Sequence, residues 1–240
     1  EGSVITVGSA PESNDPNNPN DPNFGLIIKF DQVRDLTIDS GTHIKILVAT
    51  EWLNSGTDDS RIIAPSLGSL WITGDKKREI TGDFETNLEL SGNAQKEAAL
   101  RNARIEGNLT GSSWDITDKV GAVKVIGETS GWTLNITGDV NALRLNDVVD
   151  SNLAIDDGSI FSLNAGSWVG TSLAVGSNAG SIKLKELHGD IDIGGNAWRV
   201  NIAEPMAVIS PQTGEVGRLT VTGRAAVRSG KNIIRFAGDT

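Results

Sequence analysis

Apolar residues along this chain recur in a fixed phrase. Leu67, Leu70 and Ile72 set it: apolar, a turn-like pair, apolar, variable, apolar, variable, small. It returns at Leu100, Ala103 and Ile105, at Val120, Val123 and Val125, and at Val140, Leu143 and Leu145. Ile160, Leu163 and Ala165 follow, then Ala179, Ile182 and Leu184, and finally Val216, Leu219 and Val221. Between residues 100 and 179 the steps are 20, 20, 20 and 19 residues. A second phrase, small-x-apolar-x-apolar, lies between the copies: "TNLEL" (86–90), "SSWDI" (112–116), "SGWTL" (130–134), "SNLAI" (151–155), "TSLAV" (171–175) and "GDIDI" (189–193).

Both phrases alternate with a period of two, the signature of strands. Twenty residues are too few for a βαβ unit, which needs about thirty. Two short strands per repeat, each followed by a corner, predict one coil of a single-stranded parallel β-helix, a β-solenoid of about 20 residues per coil in the all-β class. Coils then stack about 4.8 Å apart, and equivalent apolar residues form inward columns. One predicted column is Leu70, Ala103, Val123, Leu143, Leu163, Ile182 and Leu219. A second is Leu88, Trp114, Trp132, Leu153, Leu173 and Ile191. Gly and Asn are expected at corners, where positive φ or close backbone approach is needed.

The organisation divides into three stretches. Residues 1–23 read as an N-terminal segment with a Pro/Asn/Asp-rich linker, "GSAPESNDPNNPNDPN" (8–23), that has almost nothing to bury. Residues 24–61 carry the strands "FGLIIKF", "RDLTID" and "THIKILVA", which cap or start the solenoid. Residues 62–240 form the solenoid, with irregular C-terminal coils. "NAWRV" (196–200) follows too closely for another full coil, so 193–216 is expected to be a loop or irregular coil.

Composition narrows the function. The net charge of −10 argues against general nucleic-acid binding, which needs a basic footprint. No apolar run approaches a membrane span. The opening "EGSVITVGSA" has neither an initiator Met nor a signal-peptide core, so the chain is expected to be a piece of a larger one. With no Cys there is no disulfide, thiolate metal site or Cys nucleophile.

"VGAVKVIG" and "AGSIKLKE", followed by a "SGWTLNITGDV"-type segment, resemble the repeats of large secreted proteins of environmental bacteria. In those proteins G-D-V-G-S-[LI]-K-V-x-G phrases recur at a similar interval. The resemblance covers roughly residues 62–223 and implies a right-handed parallel β-helix of pectate-lyase-like architecture, outside the cell or on its surface. It is nearly silent on activity, because the same architecture serves enzymes, tailspikes and adhesins.

The candidate chemistry is sparse. His188 in "ELHGDIDIG", with Asp190 nearby, could be half of an acid/base pair, but an exposed corner histidine is the simpler reading. Neither His43 nor His188 has a neighbour at metal-ligand spacing, so no metal site is assigned. Calcium could sit in "NDPNNPNDPN" or "TDDS" (57–60), although no D-x-D-x-D-G loop is present, and no other cofactor is expected. Acid-pair catalysis requires carboxylates from consecutive coils on one face. The outward position of the second phrase reads Glu89, Asp115, Thr133, Ala154, Ala174 and Asp192, a poor catalytic wall. The outward position of the first phrase is richer: Trp71, Arg104, Lys124, Arg144, Asn164, Lys183 and Thr220. Three consecutive coils there carry a cation. Trp114 and Trp132 align with core positions, leaving Trp71 and Trp52 as candidate exposed stacking surfaces.

These readings predict a non-catalytic structural or adhesive segment of a larger secreted or cell-surface bacterial protein. Its expected partners are polysaccharides or other surface proteins, and Arg104, Lys124, Arg144, Lys183 and Trp71 are the candidate binding residues for an anionic glycan. The alternative is a polysaccharide lyase or hydrolase built on a β-helix.

Overall fold

A computed structural model describes residues 3–8, 25–56, 60–92, 98–204, 218–229 and 232–236. The linker stretch and its calcium candidate lie outside these residues, as does most of "TDDS". The described chain is all-β and coils into a parallel β-solenoid of about 20 residues per coil. The first phrase builds an 11-stranded sheet. Its pairings are parallel until Ala225–Ser229, which pairs antiparallel with Asn232–Phe236. The second phrase builds the opposing sheet, also parallel. The N-terminal strands join the same stack. Ser3–Val7 pairs with Leu36–Ser40, and Leu26–Lys29 pairs with Ile44–Ala49.

The first inward column runs Leu47, Leu70, Ala103, Val123, Leu143, Leu163 and Ile182, as the spacing requires. Its next member is Val200, not Leu219. The stretch expected to be a loop or irregular coil contains the strand Ala197–Ile202, whose Ala197, Val200 and Ile202 repeat the first phrase and face inward. Leu219 instead pairs with Ile191 in the second sheet. There Leu219 and Val221 supply the second phrase's two apolar positions, and its alternation fits either sheet equally well.

The second column is Ile62, Leu88, Trp114, Leu134, Leu153, Leu173 and Ile191. Leu134, not Trp132, lies beside Trp114, so Asn135 rather than Thr133 stands next to Asp115 on the outside. The difference is a slip of two residues. Because side chains alternate with period two, Trp132 stays on the inward face. Both Trp114 and Trp132 are fully buried.

A third, narrower face of two-residue strands closes each coil: Leu109–Thr110, Thr129–Ser130 and Val148–Val149. Its inward residues include Val33, Trp52, Phe84, Leu109, Val148 and Trp168, all buried. Trp52 is therefore a core residue rather than an exposed platform. Its indole Nε1 donates to the buried Ser60 Oγ at 2.8 Å. Phe30, Trp52, Phe84, Trp114 and Trp132 form an edge-to-face series along the interior, with successive ring centroids 5.7, 6.3, 6.0 and 5.2 Å apart. That geometry is the favoured one for aromatic pairs.

Corners satisfy the backbone that strands cannot. After each short strand the chain enters the left-handed region at Gly111, Gly131, Asp150 and Gly170 (φ 58°, 60°, 47° and 57°). A buried hydroxyl follows at Ser112, Ser151 and Thr171, each donating to the carbonyl two residues back. At another corner a side-chain ladder runs between coils. Asp139 accepts the Ser159 amide, Asn178 accepts the Asn196 amide, and Asn196 accepts the Arg224 amide, at 3.0, 2.9 and 2.9 Å. Each removes an orphan donor from a turn that packs on the next coil.

Candidate functional site

Inward and outward positions alternate along the first sheet, so its outer face is also ordered in columns. Val48, Trp71, Arg104, Lys124, Arg144, Asn164, Lys183 and Asn201 occupy one of them, in register from coil to coil. The residues flanking each cation are core: Ala103 and Ile105, Val123 and Val125, Leu143 and Leu145. Trp71, Arg104, Arg144 and Lys183 are exposed and Lys124 is half-buried. Thr220, aligned with this column by sequence, lies in the second sheet opposite Asp192.

The column is only partly neutralised. Arg104 Nε donates to Glu106 Oε1 at 2.5 Å. Among the described residues no carboxylate forms an ion pair with Lys124, Arg144 or Lys183. The neighbouring outward column is small beside these cations, with Ala122, Ala142 and Ser181. The long cationic side chains therefore stand above a low strip of sheet.

The second sheet's outer face has a different character. Arg61 pairs with Glu89 at 3.1 Å, Asn135 Nδ2 donates to Asp115 at 2.7 Å, and Arg218 pairs with Asp190 at 3.0 Å. A shallow hollow of about 310 Å³ is lined there by Asp156, Ala174, Gly176, Asp192 and Thr220. Its carboxylates come from coils separated by the one that supplies Ala174 and Gly176. Among the described residues no three His, Asp or Glu side chains gather to hold a metal ion.

His188 is buried, not an exposed corner residue. It sits where the strand His188–Ile193 turns out of the narrow face, pairing with Val169. Its Nδ1 has no hydrogen-bond partner among the described residues and its Nε2 is 3.6 Å from Glu186 Oε2, whereas Asp190 is engaged by Arg218. The two residues of the proposed acid/base pair thus have separate environments. His43 Nδ1 lies 2.8 Å from Ser66 Oγ.

The strongest charge cluster is a clamp between coils. Arg78 binds Asp31 through Nη1 and Nη2 and Asp75 through Nε. The Arg78 hydrogen bonds, followed by that of Thr50, hold the Asp31 carboxyl at about 2. Asp31 and Asp75 also raise the Arg78 guanidinium.

Two exposed aromatics were not singled out from sequence. Phe161 and Trp198 lie on the first sheet's outer face. Their only signal was the position after the first apolar residue of the phrase, held by Gly in four copies read from the sequence, Gly68, Gly121, Gly180 and Gly217.

Comparison with protein-family models, curated proteins and solved structures finds no match for this chain. The fold and its outer face define a class: a parallel β-solenoid whose first sheet displays an axial column of cations.

Proposed function

We propose that this chain is a non-catalytic, adhesive segment of a larger secreted or cell-surface bacterial protein, and that the outer face of its first sheet holds an extended acidic glycan. One observation carries the reading. Arg104, Lys124 and Arg144 stand in register on consecutive coils, two of them without an ion-pair partner among the described residues, in a chain of net charge −10. Adjacent like charges about 4.8 Å apart oppose sheet formation by up to about 1 kcal/mol per pair at the surface. A linear polyanion laid along the solenoid axis converts that repulsion into binding.

The resemblance to secreted repeat proteins of environmental bacteria supports a location outside the cell. Against a polysaccharide lyase or hydrolase stands the second sheet, which places Asn135, Ala154 and Ala174 between Asp115 and Asp192. The test is binding of polygalacturonate, with dextran as the neutral control, to the chain and to the triple variant Arg104→Gln/Lys124→Gln/Arg144→Gln. The reading predicts salt-sensitive binding of polygalacturonate that the triple variant loses while its melting temperature is unchanged or raised. Unaltered binding in the triple variant, or none in the parent chain, refutes it.

A further inference from the structure

Two large aromatic side chains on the first sheet's outer face are open to solvent, Phe161 at 52% and Trp198 at 63% exposed. They occupy one register. Ile160 pairs with Ala179 and Ser162 with Ser181, which sets Phe161 opposite Gly180. Ala179 pairs with Ala197 and Ser181 with Arg199, which sets Gly180 opposite Trp198. The two rings therefore stand two coils apart, roughly 10 Å along the axis.

The residue between them must be glycine. A Cβ on Gly180 would lie 2.3 Å from the Phe161 carbonyl oxygen. Gly180 itself places no side chain between the two rings, so the slot they bound has a backbone floor at that position. On its far side Trp198 borders an open hollow of about 590 Å³ shared with Asn196, Arg224 and Ala226. The surroundings are basic: Lys183 is on the slot's own strand, Arg199 follows Trp198, and both are exposed.

We infer that Phe161, Gly180 and Trp198 form a sugar-stacking subsite for an acidic polysaccharide, at the C-terminal end of the cation column. Pyranose rings present flat C–H faces that lie against aromatic rings, while their carboxylates or sulfates project sideways. Aromatic walls with Lys183, Arg199 and Arg224 around them match that combination. A purely apolar partner would have to desolvate these cations without pairing them. The inference rests on the proposed glycan reading and adds to it: the column supplies long-range attraction, and the slot supplies contact that salt does not screen.

The experiment titrates polygalacturonate into the parent chain, Phe161→Ala/Trp198→Ala, Trp198→Phe and the triple cation variant, at low salt and at about 0.5 M NaCl, where exposed charges are largely screened. Expected is residual binding by the parent at high salt, weakened about tenfold or more by the double alanine variant and retained within about threefold by Trp198→Phe. Trp52, Trp114, Trp132 and Trp168 are already buried, so Trp71 and Trp198 are the exposed reporters; in a Trp71→Phe background binding should blue-shift the emission, and adding Trp198→Phe should abolish that shift. If the double alanine variant binds like the parent at high salt while the triple cation variant loses low-salt binding, the subsite is refuted and the column stands. If the parent binds no polyanion at any salt, both readings fall. If the parent self-associates in a way that the double alanine variant abolishes, the aromatic face serves a second copy of the chain and the subsite is refuted.

Discussion

Replacing Trp114 tests the interior directly. Its indole is fully buried, 6.0 Å from the Phe84 ring and 5.2 Å from the Trp132 ring, both edge-to-face. Truncation to Ala removes the ring from a closed column whose neighbours are fixed by strand pairing on both sides. Loss of transfer energy and the residual cavity together cost about 3–5 kcal/mol. The two ring contacts are part of that loss, at about 0.5–1.5 kcal/mol each. One term runs the other way. Trp114 Nε1 has no hydrogen-bond partner among the described residues, so deleting it relieves a buried orphan donor worth about 1–3 kcal/mol. Trp114→Phe keeps both edge-to-face contacts and also removes the orphan. The expected order is therefore parent close to Trp114→Phe, within about 1.5 kcal/mol, with Trp114→Ala lowest, about 2 kcal/mol below the parent once the relieved donor is set against the lost ring. Equilibrium unfolding in urea followed by far-UV circular dichroism reads both variants. The slope must be compared as well as the midpoint, because a repeat array can lose cooperativity when one coil is weakened. A Trp114→Ala chain within 1 kcal/mol of the parent, or a Phe variant as damaged as the Ala variant, would refute the aromatic interior.

Three further outcomes are expected. Gly176→Ala should abolish soluble folded protein, since its Cβ would lie 1.6 Å from the Asp156 carbonyl oxygen; Gly111→Ala, at φ 58° with open space around it, should cost only about 1–2 kcal/mol in a thermal melt. Asn178→Ala should destabilise by about 1–3 kcal/mol in urea, because the Asn196 amide that Asn178 Oδ1 accepts at 2.9 Å loses its partner, and Asn178→Asp should recover most of the loss. Asp31 is held at about 2 against an ordinary 3.8, so the stability it confers is complete above the ordinary value and disappears as pH falls through about 2. Asp31→Asn should therefore flatten the fall in melting temperature over that acid window, and an unchanged slope would dismiss the clamp.

The sequence carried the solenoid because its repeat is an energetic necessity. No coil can bury its own apolar face, so Leu70, Ala103, Val123, Leu143, Leu163 and Ile182 had to recur at the interval that stacks them. Reading lost its hold where that interval broke. From Ala197 to Ala225 the first-sheet step is 28 residues; "AWRVNI", expected in a loop or irregular coil, is a first-sheet strand, and "GRLTV", read as a first phrase, belongs to the second sheet. Period-two alternation could not separate them, nor place Trp132 rather than Leu134 beside Trp114. The narrow third face was not legible, since two-residue strands such as Leu109–Thr110 are too short to show alternation. Its inward column holds Trp52, which is why that residue was taken for a surface platform. On the candidate site, alternation placed Arg104, Lys124, Arg144 and Lys183 outward, because a slip of one residue would bury all of them. The Phe161–Trp198 pair escaped notice. The position it shares carries no apolar pattern, and Trp198 lay in the misassigned coil.

The most direct measurement of the outward column is a set of spin-label distances. The chain contains no cysteine, so nitroxides can be placed without background at Arg104→Cys paired in turn with Asn164→Cys, Lys183→Cys and Asn201→Cys. These sites are three, four and five coils away in one register, which predicts backbone separations of roughly 14, 19 and 24 Å, increasing by about 4.8 Å per coil. Dipolar spectra that lengthen in this even series support the column and the stacking beneath it. Distances that fail to increase in order, or that jump by the width of the coil between successive sites, would contradict both.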